Sequence, residues 1–115
     1  MSEPIDIWLD PTIPGGAPTL NLSAIVPAGE TWRIQNLFCA DVATGDGRSG
    51  IFILEWGSAG TWEMVQAVAL TGGSYLAMIE KDFVGNGTKR FRFSRENTSM
   101  GVRRMYANLK GFKAI

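Results

Sequence analysis

Turn-forming residues interrupt this 115-residue chain every 8–13 residues, and that spacing limits the fold more than any other feature. Pro27-Ala28-Gly29, Gly57-Ser58-Ala59-Gly60, Thr71-Gly72-Gly73 and Gly85-Asn86-Gly87 each close a short segment. Asn-Gly tolerates positive φ, so the last of these is a strong hairpin signal. Between the turns, apolar residues recur with period 2. Leu20, Leu22, Ala24 and Val26 alternate with Asn21 and Ser23. Trp32, Ile34, Phe38 and Ala40 share one parity, interrupted at Asn36. Residues 51–56 are apolar on both parities at first, as in a strand covered on two faces. Trp62, Met64, Val68 and Leu70 form the inward parity of the next strand. Further strands are expected at 74–84, from Lys89 to Arg95, and from Val102 to Phe112. A helix over 61–70 has fair propensity, but it lies between two glycine turns and fits period 2 better.

The expected fold is therefore all-β, a single-domain antiparallel β-sandwich or jelly-roll-like domain of about eight strands. The 14 glycines and 5 prolines suit such a turn-rich chain. Pro4, Pro11, Pro14 and Pro18 all fall in the first eighteen residues. Proline removes a backbone donor and fixes φ, which disfavours a central strand. Residues 1–18 therefore read as an extended N-terminal arm, with a possible short edge strand where Ile5, Ile7 and Leu9 alternate with Asp6 and Trp8. Residues 19–115 read as the sandwich.

Several kinds of chemistry lack their parts. There is no histidine, so imidazole bases, His-based triads and histidine metal ligands are excluded. The single Cys39 excludes an internal disulfide and a cysteine zinc site, and its apolar strand points to a buried structural thiol. Asp41 and Asp46 flank a Gly/Asp-rich loop that matches no calcium-loop spacing, and Arg48 adds an opposing charge. Glu55 and Glu63 flank the next turn as a solvated pair. No glycine run matches a phosphate loop or a dinucleotide fingerprint. The expectation is no enzyme, no catalytic residue, no metal and no cofactor.

Eleven basic and eleven acidic residues give a net charge of zero, which argues against a nucleic-acid partner. No apolar run approaches a membrane span. Met1-Ser2-Glu3-Pro4 has no basic or apolar leader character, so a protein made and kept in a cytoplasm is expected, and the Asn-x-Ser/Thr triplets at Asn21, Asn86 and Asn97 are chance matches. The charges are nevertheless segregated. Residues 1–80 hold two basic and nine acidic groups, a balance of −7; residues 81–115 hold nine and two, a balance of +7. If the last two strands pair, Arg90, Arg92, Arg104 and Lys110 share one face with Tyr106, forming a basic stripe. The tryptophans divide as well. Parity places Trp32 and Trp62 in the core and leaves Trp8 and Trp56 as candidate surface anchors. The expected partner-binding residues are Ile5, Ile7, Trp8, Arg90, Arg92, Arg104, Tyr106 and Lys110.

Residues 25–38, Ile-Val-Pro-Ala-Gly-Glu-Thr-Trp-Arg-Ile-Gln-Asn-Leu-Phe, resemble a phrase of small β-sandwich virion proteins of tailed bacteriophages. Residues 95–113 resemble the closing hairpin of such proteins. The resemblance implies a capsid decoration (cement) protein in the virion, made in the host cytoplasm. It implies binding to the major capsid protein or other virion proteins, an arm reaching neighbouring subunits, and a homo-oligomer with a trimer favoured. The charge split suits head-to-tail association. The competing expectation is a carbohydrate-binding or fibre module that stacks sugars on Trp8, Trp56 or Tyr106.

Overall fold

The computed structural model describes residues 2–15, 18–42, 50–98 and 102–114. Nine strands form two antiparallel sheets packed as a sandwich. They are β1 (Ser2–Leu9), β2 (Thr12–Ile13), β3 (Thr19–Leu22), β4 (Thr31–Asp41), β5 (Gly50–Ser58), β6 (Thr61–Leu70), β7 (Gly73–Val84), β8 (Arg90–Asn97) and β9 (Arg103–Ala114). One sheet runs β1-β9-β4-β7, with β2 also on β9; the other runs β3-β8-β5-β6. All-β architecture and the sandwich are as the turn spacing predicts. Segment 61–70 is a strand, as its period-2 pattern requires.

Four aromatic rings tie the sheets together. Trp32 and Phe83 come from the first sheet, Trp56 and Phe91 from the second. Phe91 lies 4.7 Å from Trp56, 4.8 Å from Phe83 and 6.1 Å from Trp32 between ring centroids. Tilted and edge-on contacts of this kind set positive ring edges against negative faces and add to the area buried. Trp56 is thus a core residue and not a surface anchor. Trp62 takes the opposite place, on the outer face with the Arg92 guanidinium 4.4 Å above its ring. The cause is a bulge. Leu54 pairs with Gln66 but Glu55 pairs with Met64, so Val65 is an extra residue in β6. One extra residue exchanges the two faces of a strand. Trp62 and Met64 therefore point away from the core although they share sequence parity with Val68.

A second bulge explains the interruption at Asn36. Ile34 pairs with Gly111 and Asn36 with Lys110, leaving Gln35 unmatched. Before it, Trp32 and Ile34 face inward; after it, Leu37, Cys39 and Asp41 do. Phe38 and Ala40 are turned to the outer face. Gly111 sits beside this bulge, where a Cβ would stand 2.1 Å from the Arg33 carbonyl oxygen. Only glycine lets the strands approach so closely.

Of the stretch expected as an extended arm, residues 2–9 and 12–13 pair with β9 within the sandwich. The edge strand is longer than the expected 5–9, since β1 pairs with β9 from Ser2↔Ala114 to Leu9↔Ala107. Ile5 and Ile13 are buried in the core. Asn97 Nδ2 donates to the Ile13 carbonyl at 2.9 Å, and Arg95 Nη1 donates to the Asp10 carbonyl. The same guanidinium donates to Met105 O at 2.9 Å and to Asn21 Oδ1 at 3.0 Å. Burial lowers the Arg95 pKa, and the Asp10 carboxylate opposes that shift. A buried cation needs such acceptors. Asn21 supplies one by facing inward, which leaves Leu20 and Leu22 exposed.

The Gly85-Asn86-Gly87 turn joins β7 to β8, which lie in different sheets, so it is a crossover and not a hairpin within one sheet. Asn86 Oδ1 accepts from the backbone amides of Thr88 at 2.9 Å and Lys89 at 3.0 Å, which fixes it.

Candidate functional site

The outer face of β1-β9-β4-β7 brings together the groups best suited to recognition. Strand register sets them in rows. Trp8 pairs with Asn108, Asn108 with Phe38, and Phe38 with Leu76. The adjacent row is Asp6, Lys110, Asn36 and Met78. Trp8 is 59% exposed, Leu76 52% and Met78 61%, while Phe38 is half-buried between neighbours. Trp8, Phe38 and Leu76 line a shallow groove of about 330 Å³ with Asn36, Asn108 and Lys110. Asn108 is buried on its floor. Its Nδ2 donates to Asp6 Oδ1 at 2.7 Å and to the Ile7 carbonyl at 3.2 Å. This locks the amide and holds β1 against β9. Lys110 is exposed and makes no ion pair among the described residues. Tyr106, two residues before Asn108 on the same face, is half-buried, and Arg104 beyond it is exposed.

The structure thus unites Trp8, Arg104, Tyr106 and Lys110 on one face. Ile5 and Ile7 do not belong to it, because Ile5 is buried in the core and Ile7 packs against that core. Arg90 and Arg92 do not belong to it either. β8 and β9 lie in different sheets, so the expected stripe of Arg90, Arg92, Arg104 and Lys110 does not form. Much of the basic half is answered within the chain. Arg92 pairs with Glu55 at 2.9 Å, Arg103 with Asp41 at 2.6 Å and Lys81 with Glu63 at 3.7 Å. Glu55 and Glu63 therefore serve separate cations and are not a pair.

Sequence reasoning missed Phe38, Leu76, Met78 and Asn108. Phe38 was signalled by the broken parity at Asn36. Leu76 and Met78 lie in the run Tyr75-Leu76-Ala77-Met78-Ile79, apolar on both parities, which does not reveal its exposed face.

Reactive groups are held elsewhere. Cys39 is fully buried, and desolvation pushes its thiol up to about 12. Asp41 is committed to Arg103 and also accepts from the Gly72 amide at 3.3 Å. Asp46 and Arg48 lie outside the described residues. Among the described residues no cluster of three or more Cys, Asp or Glu side chains could hold a metal ion.

No protein-family model matches the chain, and no curated protein sequence matches it. Among solved structures it is similar to the crystal structure of PirA, with a TM-score of 0.54 and 13% identity over 93% of this chain and 92% of that one. At that identity the likeness establishes the fold. It also corrects the expectation of a virion protein, since PirA (Photorhabdus insect-related toxin A) is a bacterial toxin β-sandwich and not a phage capsid protein. Capsid decoration, virion location, virion partners and a capsid-type trimer are set aside with it. A Pro-Ala-Gly turn before an amphipathic strand is a general solution for a β-sandwich, which is why the two sequence phrases misled.

Proposed function

We propose that this chain is a non-enzymatic binding subunit that docks onto a second, different polypeptide through the outer face of β1-β9-β4-β7. The observation that carries the reading is the apolar band formed by Trp8 of β1, Phe38 of β4 and Leu76 and Met78 of β7, with the buried Asn108 of β9 between Trp8 and Phe38. Soluble monomers rarely leave such a band uncovered. Its borders, with Asp6, Asn36 and Lys110, have the polar rim that lets such a patch remain soluble before docking. PirA is a component of a binary insecticidal toxin, which supports a role as one half of a two-protein assembly. A chain without histidine, with a buried thiol and a sequestered Asp41, is better equipped for contact than for catalysis.

The test is reconstitution with the proteins encoded beside this one. A heteromeric complex is expected, in which Trp8→Ala costs about 2 kcal/mol of binding, as an interface anchor does. Hydrogen exchange on that complex decides the surface. Protection elsewhere, with the Trp8–Leu76 row left open, would overturn the reading.

A further inference from the structure

On the other sheet, at the end near the β5–β6 turn, a second cavity of about 380 Å³ opens beside Arg90. Leu22, Ile25, Ser58, Trp62, Thr88 and Arg90 line it. Its origin lies in the register. Arg90 pairs with Gly57, and Gly57 pairs with Trp62. A glycine therefore lies between an arginine and a tryptophan, and no side chain rises from it to fill the space. The glycine is required there, because a Cβ at position 57 would stand 2.0 Å from the Thr61 carbonyl oxygen.

The electrostatics of the cavity are one-sided. The neighbouring Arg92 is neutralised by Glu55, with its Nε at 3.0 Å and an Nη at 2.9 Å from the carboxylate. The Arg92 guanidinium also covers one face of Trp62. Arg90 has no such partner. Its Nε is buried without a hydrogen bond, it forms no ion pair among the described residues, and no carboxylate lines the cavity. A buried donor left unsatisfied is costly, and a guanidinium matches a carboxylate through two parallel hydrogen bonds. The Ser58 hydroxyl is a further donor beside it, while the Thr88 hydroxyl already donates to Asn86 Oδ1 at 2.9 Å, and Leu22, Ile25 and Trp62 give an apolar wall.

We infer that this cavity binds a carboxylate carried on an apolar body, the acid head meeting Arg90 and the body lying against Leu22, Ile25 and Trp62. The acid can be a small free molecule or the chain end of a peptide with an apolar last residue. Its volume lies at the lower end of the range for small-molecule sites.

The experiment is titration of the isotope-labelled protein with 3-phenylpropionate, followed by amide chemical shifts. Saturable shifts are expected at Ser58, Ala59, Gly87 and Thr88, and the uncharged 3-phenylpropanamide should bind about tenfold or more weakly. Arg90→Met should lose the same factor for the acid and little for the amide. A parallel titration with Gly-Gly-Gly-Phe tells the sources apart: tighter binding of the peptide assigns the site to a chain end, tighter binding of the free acid to a small molecule. Equal affinity for acid and amide in the unaltered protein would overturn the inference, as would shifts confined to other residues. The acid–amide comparison needs no variant, so it stands even if Arg90→Met folds poorly.

Discussion

Asp41 Oδ1 and Arg103 Nε meet at 2.6 Å with neither side chain reaching solvent. One comes from β4 and the other from β9, 62 residues later in the chain. Breaking a buried ion pair by removing one of its members costs about 3–5 kcal/mol. Asp41→Ala is therefore expected to lower unfolding stability by that amount in urea titration. The double variant Asp41→Leu/Arg103→Met should recover most of it. A single variant as stable as the parent would show that the pair has no such role.

Ile13 tests whether the proline-rich N-terminal stretch is structural. It is buried beneath β9, and the Asn97 amide binds its carbonyl. Ile13→Ala should cost about 2–5 kcal/mol, the usual range for a truncated core isoleucine. A change below about 0.5 kcal/mol would mean that residues 10–15 are dispensable in solution.

Gly111 predicts an effect of adding one methyl. An alanine Cβ there would stand 2.1 Å from the Arg33 carbonyl oxygen and 2.9 Å from the Ile34 Cα. The strands would have to part at the Gln35 bulge. Overpacking of this kind costs about 1–3 kcal/mol. Thermal melting of Gly111→Ala should show it, whereas Gly87→Ala meets no atom within 4 Å and pays only for its positive φ.

Cys39 ties stability to alkaline pH. Its thiol ionises at 9.0 when unperturbed and is pushed up to about 12 in the fold. Below pH 9 both states keep the proton, and the thiol imposes no pH dependence. Above it the unfolded chain loses a proton that the native state retains, so stability falls as pH rises toward about 12. The slope is up to about 1.4 kcal/mol per pH unit. Cys39→Ala should flatten that part of the curve. A thiol reagent should react only as fast as the protein opens.

How much of this was legible follows from where the pleat is regular. Turn spacing and alternation gave the sandwich, and Trp32, Ile34, Phe52, Leu54 and Phe91 fall inward as period 2 requires. Parity counting carries no information across a bulge. Val65 and Gln35 each add one residue, and past them Trp62 and Phe38 change sides. Strand order was not legible either. Arg92 and Lys110 look like neighbours because their strands are consecutive, but β8 and β9 belong to different sheets. The outer-face groove therefore could be half seen, through Trp8 and Lys110. Its other half comes from β4 and β7, where Phe38 is marked only by the broken parity at Asn36 and Leu76 carries no local mark of exposure.

The position of β9 has a consequence for how the molecule is made. The last strand in the described chain is an inner strand of its sheet, between β1 and β4, and it also holds β2. During synthesis β1 emerges well before its partner β9 and waits, its hydrogen-bonding edge open, until residues 103–114 have been added. No local hairpin can satisfy it in the interval. The first sheet is therefore completed only once β9 has been made, by closing a loop that spans β2 to β8, and such non-local pairing makes folding slow. The edge most exposed during that wait is the one that carries Trp8.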